Sequence, residues 1–172
     1  MVGQVIGVAT LQAAEGQNLN FAVPAERILQ LRINEVQSFS THAAETQKNK
    51  RSAAERLYSQ GLAQLSRDDY NRAVGLFEKA VEIDPNYAEA WYQAGYCYGV
   101  LGRHQDALRA SKQAAKLRPD WAEAHINIGA SSYALGQYKE AVDAYRQALR
   151  LDEDNAETQY ALGMTFGKLN RT

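Results

Sequence analysis

The side chains that could act as nucleophiles, bases or metal ligands are few: one thiol, Cys97, and three imidazoles, His42, His104 and His125. A thiol becomes a nucleophile when a base or a cationic neighbour lowers its pKa, and the sequence around Cys97 offers neither. The histidines fall in a polar segment and in two positions that the pattern places in helix cores. The sequence has no GxxxxGK, GxGxxG, HExxH or EF-hand motif. It therefore predicts a chain that is not an enzyme on its own and that holds no cofactor and no metal ion.

Composition disfavours several further function classes. The 172 residues include 19 Lys+Arg and 20 Asp+Glu, for a net charge of -1, whereas nucleic-acid binding usually needs a basic surplus. A single cysteine excludes an internal disulfide framework. The sequence contains neither an apolar run of about 18 residues, which a bilayer span needs, nor the basic flank of a signal peptide. We expect no nucleic-acid or membrane partner and a cytoplasmic chain as written.

A repeat of 34 residues is the strongest signal in the sequence. Glycine recurs four times with this period, and alanine recurs three times at each of two positions. These residues are Gly61, Gly95, Gly129 and Gly163, then Ala73, Ala107 and Ala141, then Ala80, Ala114 and Ala148. A fixed period in this range predicts stacked units that bury a core only against their neighbours.

Each period is predicted to form two helices. The first helix is expected to start at a capping box, in which a cap oxygen and a glutamate three residues later satisfy free backbone N–H groups. The four pairs are Ser52 and Glu55, Asn86 and Glu89, Asp120 and Glu123, and Asp154 and Glu157. The first helix should end at Leu101-Gly102 and Leu135-Gly136, where glycine tolerates a left-handed backbone, and less well at Leu65-Ser66.

This pattern resembles the tetratricopeptide repeat (TPR) family, which combines small and aromatic residues at fixed positions of a 34-residue unit. The repeats are 54–87, 88–121 and 122–155, and 156–172 matches only the first helix of a fourth. Two positions depart from the family pattern: Ser111 replaces an aromatic residue and Glu153 replaces a proline. The resemblance implies a mainly α fold, a right-handed superhelix of helix-turn-helix units with three repeats plus one extra helix. To this we add a short N-terminal β-hairpin segment, described below.

The resemblance also implies a concave groove, lined by the first helices, that holds a peptide or helix of a partner protein. In that family the second, fifth, ninth, twelfth and thirteenth positions face the groove. The groove candidates are Tyr58, Leu62, Tyr92, Tyr96, Ile126, Asn127, Tyr133, Tyr160 and Met164. Tyrosine and apolar side chains favour a ligand with apolar anchors. The alternative is that the tyrosines pack between repeats and present only their hydroxyl groups at the rim.

Charged residues in the groove would decide the kind of ligand. The best-known ligand mode of the family clamps a C-terminal carboxylate with Lys, Asn and Arg. Here only Asn127 fits that set, and tyrosines stand where lysines are usual, so we do not expect binding of chaperone tails. The column of Glu55, Glu89, Glu123 and Glu157 is interpreted as helix capping in preference to an acidic binding stripe.

The first 32 residues have a different pattern. A β-branched cluster at 5–10 and the segment 20–23, which ends at Pro24, predict two strands joined by a turn, with a short helix through 26–31. Gly3–Thr10 and Asn20–Pro24 resemble the last β-hairpin of a trypsin-like serine peptidase of the HtrA/Deg type. The family's nucleophile and its His and Asp would lie before Met1, so this resemblance brings no catalytic residue. Residues 33–52 are expected to be a linker or a helical extension from Ala43, ahead of a TPR domain at 53–172.

The sequence thus predicts a protein–protein interaction module whose partner is a protein or peptide. Two alternatives stay open. The chain could be the substrate- or partner-selecting C-terminal part of a larger serine protease, or it could be a self-assembling structural scaffold. Because apolar side chains of the last helix lack a covering helix, we also expect a tendency to form homo-oligomers.

Overall fold

The computed structural model describes residues 6–12 and 18–171, and the side-chain environments from residue 41 onward. Its contacts divide the chain into two compact units, Met1–Asn49 and Lys50–Thr172. The first unit contains two antiparallel strands, β1 (Ile6–Gln12) and β2 (Asn18–Pro24), and the start of helix α1 (Ala25–Leu65). Residues 33–52, the expected linker or extension, lie within α1. They contain no Pro or Gly, the two residues that most disfavour a helix.

The predicted fold class needs correction. Every regular element that the structure describes after Lys50 is a helix, so the repeat fold is all-helical. The prediction that a β-hairpin segment is part of this fold is wrong, because β1 and β2 lie in the first unit and every element described in the second unit is a helix. The physical reason is that stacked helix pairs bury a continuous core against one another, so the repeat fold needs no sheet.

The second unit is a chain of antiparallel helices that pack against their neighbours in sequence order. The end of α1 is followed by α2 (Tyr70–Ile83), α3 (Ala88–Val100), α4 (His104–Leu117), α5 (Ala122–Ala134), α6 (Tyr138–Leu151) and α7 (Ala156–Leu169). Helix α3 also contacts α5, and α5 contacts α7. The first helices of successive repeats therefore lie side by side, and a ligand could touch several of them at once.

The repeated glycines allow the two helices of a repeat to approach closely. A Cβ placed on Gly61 would lie 2.5 Å from Phe77, and one on Gly129 would lie 2.6 Å from Tyr145. At Gly95 the nearest atom would be the hydroxyl oxygen of Ser111, at 2.6 Å. These distances are too short for any larger side chain, so glycine is required where the first and second helices cross.

The turns within the repeats also follow the 34-residue period. Gly102 and Gly136 both have φ of +74°, and Asp68 has φ of 57°. These three residues are in register, so the left-handed residue of repeat one is Asp68, two residues beyond the expected Ser66. Asp is one of the few residues other than Gly that accept this conformation, because its short side chain bonds locally.

The predicted capping boxes are wrong at all four starts. Ser52 lies inside α1, and the N-cap residues of α3 and α5 are Tyr87 and Trp121, neither of which makes a side-chain cap bond. Helix α7 is capped by Asn155, one residue after the predicted Asp154, and the Asn155 side chain accepts from the backbone N–H of Thr158. A different contact recurs at these helix starts. The side chain of the fourth residue of the repeat makes a hydrogen bond with the backbone carbonyl oxygen of the residue six positions earlier. The three pairs are Trp91 with Pro85 at 2.9 Å, His125 with Pro119 at 2.9 Å, and Gln159 with Glu153 at 2.8 Å.

Candidate functional site

The fifth-position side chains of the first helices are occupied in packing between repeats. The Tyr58 ring lies 5.6 Å from Phe77 and 5.0 Å from Tyr87, and Tyr92 stacks on Trp121 at 4.5 Å, centroid to centroid. Ile126 is half-buried. Burial raises the pKa of the Tyr58 and Tyr92 hydroxyl groups, because a phenolate is poorly solvated between repeats. This geometry favours the packing alternative for Tyr58 and Tyr92.

The ninth-position side chains, in contrast, are open to solvent. Leu62 is 37% exposed, Tyr96 41% and Met164 46%, and Ala130 is exposed too. Tyr160 is exceptional among the fifth positions, at 72% exposed, because the described residues place no further helix beside it. The available surface of the groove is therefore a row of ninth-position side chains.

A pocket opens on this row between α3 and α5. It has a volume of about 310 Å³ and is lined by Tyr96 and Val100 of α3, His104 at the start of α4, and Asn127 and Ala130 of α5. Val100 is half exposed and was not among the predicted site residues. It stands at a thirteenth position, so the groove-facing positions of the family could have identified it. A second ring borders Tyr96: Tyr70 of α2 lies 6.4 Å away, centroid to centroid.

Two other predicted site residues are turned toward neighbouring helices. Tyr133 meets Tyr138 edge to face at 5.6 Å, at the start of α6. The Asn127 side chain lies beside the Tyr92 hydroxyl group, yet its buried Nδ2 has no hydrogen-bond partner of good geometry among the described residues. The Nδ2 group of Asn127 is therefore a hydrogen-bond donor that lies just below the pocket surface.

The charged side chains of α3 and α5 are both glutamates. Helices α3 and α5 contain no Lys or Arg, and each carries a glutamate at the second position of its repeat, Glu89 and Glu123. Glu89 accepts a bond of 3.1 Å from Arg118, a contact with the end of α4 that takes the place of the predicted capping role. Glu123 forms no ion pair within residues 41–171. A ligand over α3 and α5 thus meets carboxylates, hydroxyl groups and apolar side chains.

The residues with reactive side chains have different surroundings. Cys97 is fully buried, and burial raises the pKa of its thiol to about 11, so it is uncharged near neutral pH. His125 bonds a turn carbonyl, and His104 borders the pocket. Within the described residues no three His, Cys, Asp or Glu side chains are grouped to hold a metal ion. None of the helices described there has the length and apolar character to cross a membrane.

Comparison with known families agrees with this geometry. Residues 54–87 and 76–109 each match the family described as tetratricopeptide repeat, and residues 129–170 match the one described as TPR repeat. The second unit is built of tetratricopeptide repeats. The predicted TPR family is thereby confirmed. The matched residues do not include 1–53, so the resemblance of residues 1–32 to a peptidase hairpin stays a prediction.

Solved TPR domains share the fold of this TPR unit. The first TPR of Spaghetti (RPAP3), bound to the HSP90 peptide SRMEEVD, superposes with a TM-score of 0.67 at 23% identity, covering 69% of this chain and 94% of that one. The second TPR domain of human RPAP3, in complex with the HSP70 peptide SGPTIEEVD, gives 0.63 at 18% identity, covering 69% and 97%. At these identities the likeness establishes the fold alone.

One curated relative is similar in sequence. The uncharacterized protein MJ0572 of Methanocaldococcus jannaschii is 33% identical over 54 residues, which is 31% of this chain. This chain spans 63% of the length of that relative.

Proposed function

We propose that the TPR unit is a protein-interaction module that binds a peptide segment of a partner across α3 and α5. The pocket between Tyr96 and Val100 carries this proposal, because it combines exposed apolar surface with free space on the face where the first helices lie side by side. Tyr96 and Val100 are four residues apart, so both project from one side of α3. An apolar side chain of the ligand fills the pocket.

The charge of the groove selects the rest of the ligand. Carboxylates of Glu89 and Glu123 stand on α3 and α5, and neither helix has a cation that could pair with an acidic ligand. Complementary charge favours binding and repels the wrong partner. The ligand is therefore an apolar-anchored segment in which Lys and Arg outnumber Asp and Glu. This differs from the peptides SRMEEVD and SGPTIEEVD seen on the structural neighbours, which contain three acidic residues each.

Selection from a random peptide library displayed on phage, with the intact chain as bait, tests the proposal. We expect enrichment of sequences with one large apolar residue and with more Lys and Arg than Asp and Glu. Binding of a synthetic copy of a selected peptide should weaken at least tenfold in Tyr96→Ser and in Val100→Ser. Leu151→Ser is the matched control, since Leu151 is similarly exposed, at 44%, but lies at the end of α6. Selected peptides that bind Tyr96→Ser and Val100→Ser unchanged would refute the groove.

The acidic peptide SRMEEVD provides a direct test of the charge argument. We expect no measurable binding of it to the intact chain by fluorescence anisotropy. The substitution Glu123→Gln should weaken a basic selected peptide and leave its apolar anchoring intact, so the loss should be largest at low salt. Tight binding of SRMEEVD would show that the groove reads acidic tails and that the assigned ligand charge is wrong.

A further inference from the structure

A second groove lies on the side of α3 that faces away from the proposed ligand pocket. It has a volume of about 550 Å³ and is lined by α3 at its base and by α2 and α4 on either side, and we call it the α2–α4 groove. The base residues Trp91, Ala94 and Tyr98 are three and four residues apart and so share one face of α3. Tyr96, which lines the ligand pocket, is two residues from both Ala94 and Tyr98, and two residues turn a helix by about 200°. The α2–α4 groove is therefore a separate surface.

The base of the α2–α4 groove is apolar, and its rim carries charge. Val81, Ala94 and Ala110 are buried and Trp91 is half-buried, whereas Glu82 on the α2 side is exposed. The volume of the groove lies within the range of about 300–1,000 Å³ that is typical of ligand sites. A long side chain with a charged end suits such a surface, because its stem covers the apolar base while its head stays at the rim.

The α2 side of this groove differs in charge from the equivalent positions of the next two repeats. Glu78 and Glu82 stand at the twenty-fifth and twenty-ninth positions of the first repeat. In the second and third repeats these positions hold the cations Lys112, Lys116, Arg146 and Arg150. Only the first repeat therefore carries carboxylates at this pair of positions.

This difference removes an ion pair between neighbouring second helices. Lys112 of α4 lies 2.6 Å from Glu140 of α6. The residues one period earlier are Glu78 of α2 and Asp106 of α4, and two carboxylates cannot form an ion pair. Glu78 instead accepts a hydrogen bond from the Tyr98 hydroxyl group. Burial and this bond raise the pKa of Tyr98 above its usual value, so the donor is uncharged.

The cations that line the α2–α4 groove already have partners. The lysine just described is paired with α6, and Arg109 lies 2.5 Å from Asp106, to which Arg103 is also bound at 2.7 Å. Within residues 41–171 neither Glu78 nor Glu82 forms an ion pair. These two glutamates are four residues apart on α2, a spacing at which like charges repel. A cation brought by a ligand would relieve this repulsion.

We propose that the α2–α4 groove binds a segment of a partner protein through a Lys or Arg side chain that is flanked by apolar residues. The cation lies between the carboxylates of Glu78 and Glu82, which accept charge-assisted hydrogen bonds from it. Trp91 lines the same groove, and an indole ring attracts a cation more strongly than the other aromatic side chains do. The flanking apolar residues cover Val81 and Ala94. This site takes its ligand independently of the pocket between α3 and α5.

Titration of the intact, ¹⁵N-labelled chain with the peptide acetyl-Leu-Arg-Leu-amide tests the site. The chain has two tryptophans, and the Trp91 indole N–H is fixed by its bond to the Pro85 carbonyl oxygen, so its NMR signal reports on the groove. We expect a saturable shift of the Trp91 signal between about 0.05 and 5 mM peptide. The signal of Trp121, which stacks on Tyr92 outside the groove, should not follow it. The same peptide with citrulline in place of arginine keeps the shape without the charge and should bind at least fivefold more weakly.

Glu82 provides the matched variants. Glu82→Gln should weaken binding of the arginine peptide at least threefold and leave binding of the citrulline peptide unchanged, and Glu82→Lys should abolish the shift with the arginine peptide. Asp143→Asn is the control, since Asp143 is an exposed carboxylate of α6 that does not line the groove. These substitutions change exposed side chains, and circular dichroism spectra check that each variant folds.

Any of three results would overturn the proposal: no Trp91 shift up to about 5 mM peptide, equal binding of the arginine and citrulline peptides, or unchanged binding in Glu82→Gln. Acetyl-arginine-amide should bind at least tenfold more weakly than the arginine peptide. Equal binding of the two would mean that the groove takes a free cation and not a protein segment. Tyr96→Ser should leave the Trp91 titration unchanged, whereas peptides selected for the pocket between α3 and α5 should lose binding in it. The two proposals can thus fail separately.

Discussion

His125 Nε2 lies 2.9 Å from the carbonyl oxygen of Pro119, in the turn that leads into α5. A carbonyl only accepts hydrogen bonds, so the ring donates through Nε2. Trp91 and Gln159 make the same contact one repeat before and one repeat after, at 2.9 and 2.8 Å. Three chemically different side chains therefore hydrogen-bond the corresponding turns of successive repeats. Their shared feature is a side-chain N–H group at the fourth position of the repeat.

Replacing His125 by Phe should destabilise the chain, because the ring is kept and only the bond to Pro119 is lost. We expect the free energy of unfolding to fall by about 0.5–1.5 kcal/mol. His125→Gln should lose less, since Gln159 makes the equivalent bond in the next repeat. Urea denaturation followed by circular dichroism measures both. Equal losses in the two variants would mean that the hydrogen bond contributes nothing.

Alanine at two equivalent glycines should have opposite effects. Gly129→Ala brings a methyl group to within 2.6 Å of Tyr145 and should cost about 1–3 kcal/mol through overpacking. Gly163→Ala meets nothing within 4 Å and should stabilise α7 by up to about 1 kcal/mol, because Ala favours the helix more than Gly does. Melting temperatures at one low protein concentration compare the two. A stabilised Gly129→Ala variant would contradict the close helix crossing.

Arg51 links α1 to the turn between α2 and α3 and should contribute strongly to the stability of the TPR unit. Its guanidinium donates to Asp84 at 3.0 Å and lies 3.8 Å above the Tyr87 ring, and Asp84 is only 4% exposed. Arg51→Ala leaves this carboxylate buried without its cation and should cost about 1–3 kcal/mol. The exposed pair of Arg72 with Asp69 is the control, and Arg72→Ala should cost under about 0.5 kcal/mol. Chemical denaturation distinguishes them, and similar small losses would refute the role of Arg51.

Stability should fall at alkaline pH because of a buried phenol. Tyr145 is 4% exposed, and burial raises the pKa of its hydroxyl group from 10.0 to about 12. Since the folded-state pKa is the higher one, the unfolded chain loses the proton first. The stabilisation is thus complete below pH 10 and is lost as the pH rises toward 12, by about 2 kcal/mol.

The Tyr145→Phe variant should lose less stability than the unsubstituted chain between pH 9 and 11, and Tyr160→Phe is the exposed control. Unfolding free energies across this pH range give the comparison. Parallel curves for Tyr145→Phe and the unsubstituted chain would contradict the assignment.

The sequence alone determined the period, the family and the residues at the helix crossings. Gly61 and Gly129 are required by contacts with Phe77 and Tyr145 inside their own repeats. Such contacts recur every 34 residues, so the pattern of residue types records them directly. The continuous α1 was harder to predict, because a polar segment without Pro or Gly fits both a linker and a helix.

Only the tertiary structure decided which groove candidates are available to a ligand. Tyr92 and Tyr96 are four residues apart and share one face of α3, so spacing cannot separate them. Trp121, in the turn that leads into α5, covers Tyr92, whereas Tyr96 stays 41% exposed. The role of Glu89 was likewise set by Arg118, 29 residues away. Exposure and ion pairing depend on how the end of a repeat folds back onto its first helix, and the residue spacing along one helix does not show this.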